Sequence, residues 1–168
     1  MMILGLLGLL VISSGFFLIA LYDNGSTGAR DKAVYLIDFE LPTSRDIPWS
    51  SSALHNQVVV INFWAPWCLP CRNEIPYLVD IHTQYDPAVQ VIGIAIDQRE
   101  PVSRFEEEAG INYISLIGEL GGIKLMQQYG NSGQLPLTLV FDREGRLQRQ
   151  TIGPFKPASL RKWVEQLL

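Results

Sequence analysis

The 168-residue chain has two cysteines, Cys68 and Cys71, three positions apart in Trp67-Cys68-Leu69-Pro70-Cys71. That spacing brings two sulfurs close enough to bond. At the start of a helix, free N–H groups and the positive end of the dipole favour a thiolate over a thiol. The chemistry this permits is thiol–disulfide exchange. Cys68, the exposed first cysteine, is the expected nucleophile, and Cys71 is expected to resolve the mixed disulfide. Small domains stapled by disulfides carry more cysteines. A structural zinc site takes four ligands, and His55 and His82 make no ligand spacing with the pair. No metal site and no cofactor beyond the Cys68–Cys71 disulfide is expected.

Pro136 is the second such residue. It precedes Leu137 to Phe141, an apolar run that reads as a strand near the centre of a sheet. A proline fits there at the strand's first position, often with a cis bond. Facing the cysteines, it would leave the Leu135 backbone free to pair with an extended substrate. Trp67, Leu69, Pro70 and Leu135 are the substrate-binding candidates, and Trp64 and Trp67 would cover the sulfurs and offer an apolar docking surface.

The elements that must position these residues follow from the pattern. Val34 to Phe39 reads as a short strand closed by Pro42. Gln57 to Trp64 carries a continuous β-branched run that suits a strand buried on both faces. The spacing predicts a helix from about Pro70 to Tyr85, kinked at Pro76. A second buried strand follows over Val89 to Ile96, then helices over Pro101 to Ala109 and Leu120 to Tyr129. Leu137 to Phe141 and Arg146 to Ile152 flank the turn Asp142-Arg143-Glu144-Gly145, and Ala158 to Leu168 reads as a closing amphipathic helix. Helices around central strands make a three-layer α/β domain. The Glu106-Glu107-Glu108 run reads as a solvated face, as do Arg143, Arg146 and Arg149 on the hairpin.

Residues 1–22 contain no charged side chain, and about 20 apolar residues cross a bilayer core. This segment reads as an N-terminal membrane anchor, with a cleaved signal peptide as the alternative. Residues 23–32, rich in Gly, Ser and Asn, read as a flexible linker, which leaves residues 33–168 for the domain. Arg30 and Lys32 follow the span and no Lys or Arg precedes it, so charge alone weakly favours the cytoplasmic side for the domain. The net charge is -4 and no basic stripe is present, so no nucleic-acid partner is expected.

The run from Val58 to Pro76, Val-Val-Val-Ile-Asn-Phe-Trp-Ala-Pro-Trp-Cys-Leu-Pro-Cys-Arg-Asn-Glu-Ile-Pro, closely resembles the signature of TlpA/ResA-type thioredoxin-like proteins. Gly130-Asn131, Gly133, Leu135-Pro136, Asp142 and Gly145 resemble that family's cis-proline and hairpin region, and Phe39-Glu40-Leu41-Pro42 its opening strand. The resemblance implies a thioredoxin-like α/β/α domain with a mixed central sheet, preceded by one transmembrane helix. It also implies a membrane-tethered, extracytoplasmic (periplasmic) disulfide reductase. Its partners would be disulfide-containing proteins, such as apocytochrome c in cytochrome c maturation, and a membrane thiol–disulfide electron donor. Asn62 stands where cytosolic thioredoxin has a buried aspartate. Glu74 matches the family's acidic residue just after the motif. Three residues past Cys71, it lies one turn on along the helix, placed for proton transfer. Some cytochrome-maturation members carry a glutamate beside the cis-proline, where this chain has Gln134 and Leu137.

Two other functions remain open at this point. A peroxiredoxin-type peroxidase wants a threonine three residues before its reactive cysteine, where Ala65 stands. A copper-delivery protein using both thiolates wants a third soft ligand, with Met126 or His82 as candidates.

Overall fold

The computed structural model describes residues 33–54 and 56–168. The expected anchor (1–22), the linker (23–32) and His55 lie outside the described residues. Among those described, no helix is long and apolar enough to cross a membrane.

The central strand, β3 (Val58–Trp64), is buried at every position, as its unbroken apolar run requires. It pairs in parallel with β4 (Val89–Ala95) and antiparallel with β6 (Leu137–Phe141). β5 (Ile114–Ile117) adds in parallel outside β4, and β7 (Leu147–Ile152) adds antiparallel outside β6. The order β5-β4-β3-β6-β7 is a mixed five-stranded sheet. A separate two-stranded ribbon pairs β1 (Glu40–Pro42) with β2 (Pro48–Ser50).

Helices cover both faces, as the three-layer reading expected. α1 (Leu69–Tyr85), α2 (Arg99–Ala109) and α4 (Pro157–Glu165) lie on one face. Leu78 and Ile81 of α1 and Leu160 and Val164 of α4 pack there on Val58, Val60, Val89 and Val91. Val102 and Phe105 of α2 join Ile75 of α1 beside the two cysteines. α3 (Glu119–Gln128) covers the other face, with Leu125 and Met126 against Ile61, Phe63, Ile92 and Leu139. Asn62 on β3 stands opposite Gly93 on β4 and Thr138 on β6. A Cβ at Gly93 would lie 3.0 Å from the Trp64 Nε1 and 3.1 Å from the Tyr113 ring, so a side chain there would press on both rings.

The chain departs from the sequence expectations at its edges. Residues 34–39 do not form a strand. Tyr35 makes one isolated bridge to Arg146, and regular pairing begins at Glu40. Pro42, expected to close that strand, sits within β1, an edge position where its missing N–H costs no ladder bond. β5 was not anticipated; four residues are too few to show a period. α1 begins at Leu69, α2 at Arg99, α3 at Glu119 and α4 at Pro157, each one to two residues earlier than expected, and Pro76 lies inside α1.

Candidate active site

Cys68 is the cap residue of α1 and Cys71 lies in its first turn. The two are joined in a disulfide, with their Cα atoms 5.3 Å apart. The Cys71 N–H donates to the Cys68 Sγ at 3.3 Å, so the sulfur occupies the place of a capping oxygen. A thiolate at Cys68 would keep this donor and face the positive end of the helix dipole. Cys68 is 5% exposed and Cys71 is fully buried, so attack from outside reaches Cys68 first.

The surroundings of the pair are apolar. Trp64, Ala65, Ile75, Ala95, Val102, Phe105 and Ile117 form its cluster, with Leu135 packed against it. Trp64 is fully buried, its ring 5.4 Å from that of Phe105, so it offers no docking surface. Trp67 and Leu69, at 68% and 67% exposed, do present apolar surface beside the motif, and Pro70 is exposed with them. Arg72 lays its guanidinium over the Phe105 ring at 4.9 Å, a cation–π contact that the sequence reading missed.

Glu74 faces inward, only 3% exposed. Its Oε1 accepts from the Phe155 N–H at 2.5 Å, and its Oε2 accepts from the Asn62 Nδ2 at 3.4 Å. The same Asn62 Nδ2 donates to the Thr138 Oγ1 at 3.0 Å. Burial raises the carboxyl to about 7, while the bonds from Phe155 and Asn62 pull the other way. A group at about 7 can hold or release a proton near neutral pH. Phe155 is 81 residues away in sequence, on the segment joining β7 to α4, and gave no signal in the chain. Asn62 and Thr138 do leave a trace, as lone polar residues inside otherwise apolar strands.

The Leu135–Pro136 bond is cis, and Pro136 is buried directly before β6. The Pro136 carbonyl accepts from the Gly153 N–H at 2.8 Å, which ties this corner to the segment that also holds Glu74. The structure therefore packs Leu135 against the cluster that holds Cys68 and Cys71, with Glu74 one turn further along α1 and Pro136 between Leu135 and β6. His82 stands apart, its ring edge-on to Tyr113. Met126 belongs to the cluster on the opposite face of the sheet from the cysteines.

An α/β/α sandwich with a cysteine pair capping the helix after its central strand, and a cis-proline opening the antiparallel strand next to it, defines the thioredoxin-like class. The chain belongs to the AhpC/TSA family, whose profile matches residues 33–150, and within the thioredoxin-like class it is TlpA/ResA-like. The thiol:disulfide interchange protein HelX of Rhodobacter capsulatus is 30% identical over 129 residues, covering 76% of this chain and 70% of its own. The thiol-disulfide oxidoreductase ResA of Bacillus thuringiensis is 28% identical over 116 residues, 68% of this chain, and the match spans 65% of ResA's length. Among solved structures, a thioredoxin-family thiol:disulfide interchange protein from Chlorobium tepidum superposes with a TM-score of 0.75 at 26% identity. That match covers 83% of this chain and 99% of the other.

Proposed function

We propose that the protein is a thiol–disulfide oxidoreductase that reduces disulfides in protein substrates. The observation that carries this reading is the Cys68–Cys71 disulfide capping α1, with the buried Glu74 carboxyl one turn further on. In the reduced protein the Cys68 thiolate attacks one sulfur of a substrate disulfide. A Cys68–substrate bond forms, the substrate S–S bond breaks, and the leaving substrate thiolate takes up a proton. Cys71, its proton passed to Glu74, then attacks the Cys68 sulfur. The second substrate thiolate departs with that proton, and two electrons have moved from the protein to the substrate. Trp67, Leu69 and Pro70 form the docking surface, and Pro136 places the Leu135 backbone against an extended substrate segment.

Residues 1–22 anchor the chain in the cytoplasmic membrane, residues 23–32 tether it, and residues 33–168 work on the extracytoplasmic side. The substrates are secreted or membrane-side proteins, with apocytochrome c as one to test, and a membrane thiol–disulfide protein returns the electrons. The uncharged N-terminal run supports this placement, and the names of the ResA and HelX relatives support the exchange chemistry. A peroxidase reading has less support, since buried Ala65 supplies no hydroxyl near Cys68. A copper-delivery reading has less support too, since Met126 lies across the sheet from the cysteines.

The test is turnover of a disulfide-linked peptide with a small dithiol as electron source. Wild-type protein should catalyse reduction and Cys68→Ser should be inactive. Equal activity in the two would overturn the assignment.

A further inference from the structure

Asn131 is a buried polar residue that the chemistry above does not use. It is 1% exposed, in the segment between α3 and Pro136. Its Oδ1 accepts from the Gly133 N–H at 2.8 Å and from the Gln134 N–H at 2.7 Å, while its Nδ2 donates to the Gln134 carbonyl at 3.0 Å. Three of the four bonds an asparagine side chain can make are therefore spent within its own loop. The Asn131 N–H donates to the Met126 carbonyl at 3.0 Å, which fastens the same residue to the last turn of α3. The loop conformation needs Gly133, whose φ of +112° disfavours any side chain.

Both backbone groups of Gln134 are thus occupied, and the next residue is Leu135. An extended peptide adding to this edge finds the Gln134 N–H and carbonyl already engaged, so its pairing stops at Leu135. We propose that Asn131 is a positioning residue that holds the Leu135 backbone ready for an extended substrate and so strengthens substrate binding. The proposal rests on the reading of this loop as substrate-binding. It assigns to Asn131 the rigidity between α3 and Leu135, and no contact with the reacting sulfurs.

The test compares KM and kcat for a disulfide-linked peptide. Asn131→Ala frees Gln134 and loosens Leu135, so KM should rise about tenfold with kcat within about twofold of wild type. Asn131→Ser keeps an acceptor toward Gly133 and should recover part of that loss. Should Asn131→Ala not fold, Asn131→Ser carries the test with a KM rise of about threefold. A wild-type KM, or a loss of kcat with KM unchanged, overturns the proposal. Pro136→Ala measured alongside separates the two levels. A raised KM in Pro136→Ala alone removes the role of Asn131. Wild-type KM values in both variants remove the substrate-binding reading of the loop as well.

Discussion

Burial and hydrogen bonding pull the Glu74 carboxyl in opposite directions, and burial prevails, which holds it at about 7 against an ordinary 4.5. Between those two values the folded protein keeps a proton that the unfolded chain has released, so this group's contribution to stability falls as pH rises through that window. Integrated, the loss is about 3 kcal/mol and is complete above about pH 7. Glu74→Gln keeps the shape and removes the titration. Denaturant unfolding at about pH 5 and about pH 8 should show the variant gaining on wild type by up to that amount at the higher pH. Its exchange rate should lose the step that wild type shows near neutral pH. A parallel pH dependence in the two proteins would reduce Glu74 to a charge without a proton role. Of the thiols, Cys68 is the more accessible and has the Cys71 N–H aimed at its sulfur. Alkylation of the reduced protein at graded pH should modify it first, and preferential labelling of Cys71 would reverse the assigned roles. The place of Glu74 on the helix followed from counting three residues past Cys71. Its burial did not, because Phe155 and Thr138 come from distant segments.

Among the elements, the hairpin from β6 to β7 shows how one side chain can set a turn. The Asp142 carboxylate accepts from the N–H groups of Glu144 and Arg146, from the Arg146 Nε at 3.0 Å and from the Gln148 Nε2 at 2.7 Å. Burial alone would raise its pKa, but these bonds and the Arg146 charge outweigh it and hold the carboxyl below its ordinary range. Asp142→Ala should lower stability by about 2 kcal/mol in thermal or urea unfolding, through the lost turn bonds. A loss within about 0.5 kcal/mol would mean the turn is held by Gly145 and the strands alone. This hairpin was readable because Asp-Arg-Glu-Gly is a local turn signal between two apolar runs. β3 and β4 were readable as unbroken apolar runs long enough for buried strands, and α1 from the spacing of its apolar residues. β5 and the β1–β2 ribbon were not, because strands of three or four residues exist through their partners, as when Thr43 bridges Leu116 across the ribbon and sheet.

For the whole molecule, the three layers and the mixed sheet follow from the alternation of strands and helices once β5 is counted. The clustering of Cys68, Cys71 and Leu135 needed the fold, because 64 residues separate Cys71 from Leu135 in the sequence. The proposed topology places this cluster outside the cytoplasm despite Arg30 and Lys32 after the apolar segment. A membrane-impermeant thiol reagent on intact, reduced cells should label Cys68, and labelling only after lysis would contradict that orientation.

The central claim is that Cys68 attacks a substrate disulfide and Cys71 releases the product. Cys71→Ser removes the release step and leaves the attack intact. Mixed with a disulfide-linked peptide, the reduced variant should accumulate a covalent adduct at Cys68, readable by mass and cleaved by dithiothreitol. Cys68→Ser should form none under the same conditions. Absence of an adduct in Cys71→Ser, or an equal adduct at Cys71 in Cys68→Ser, would contradict the account.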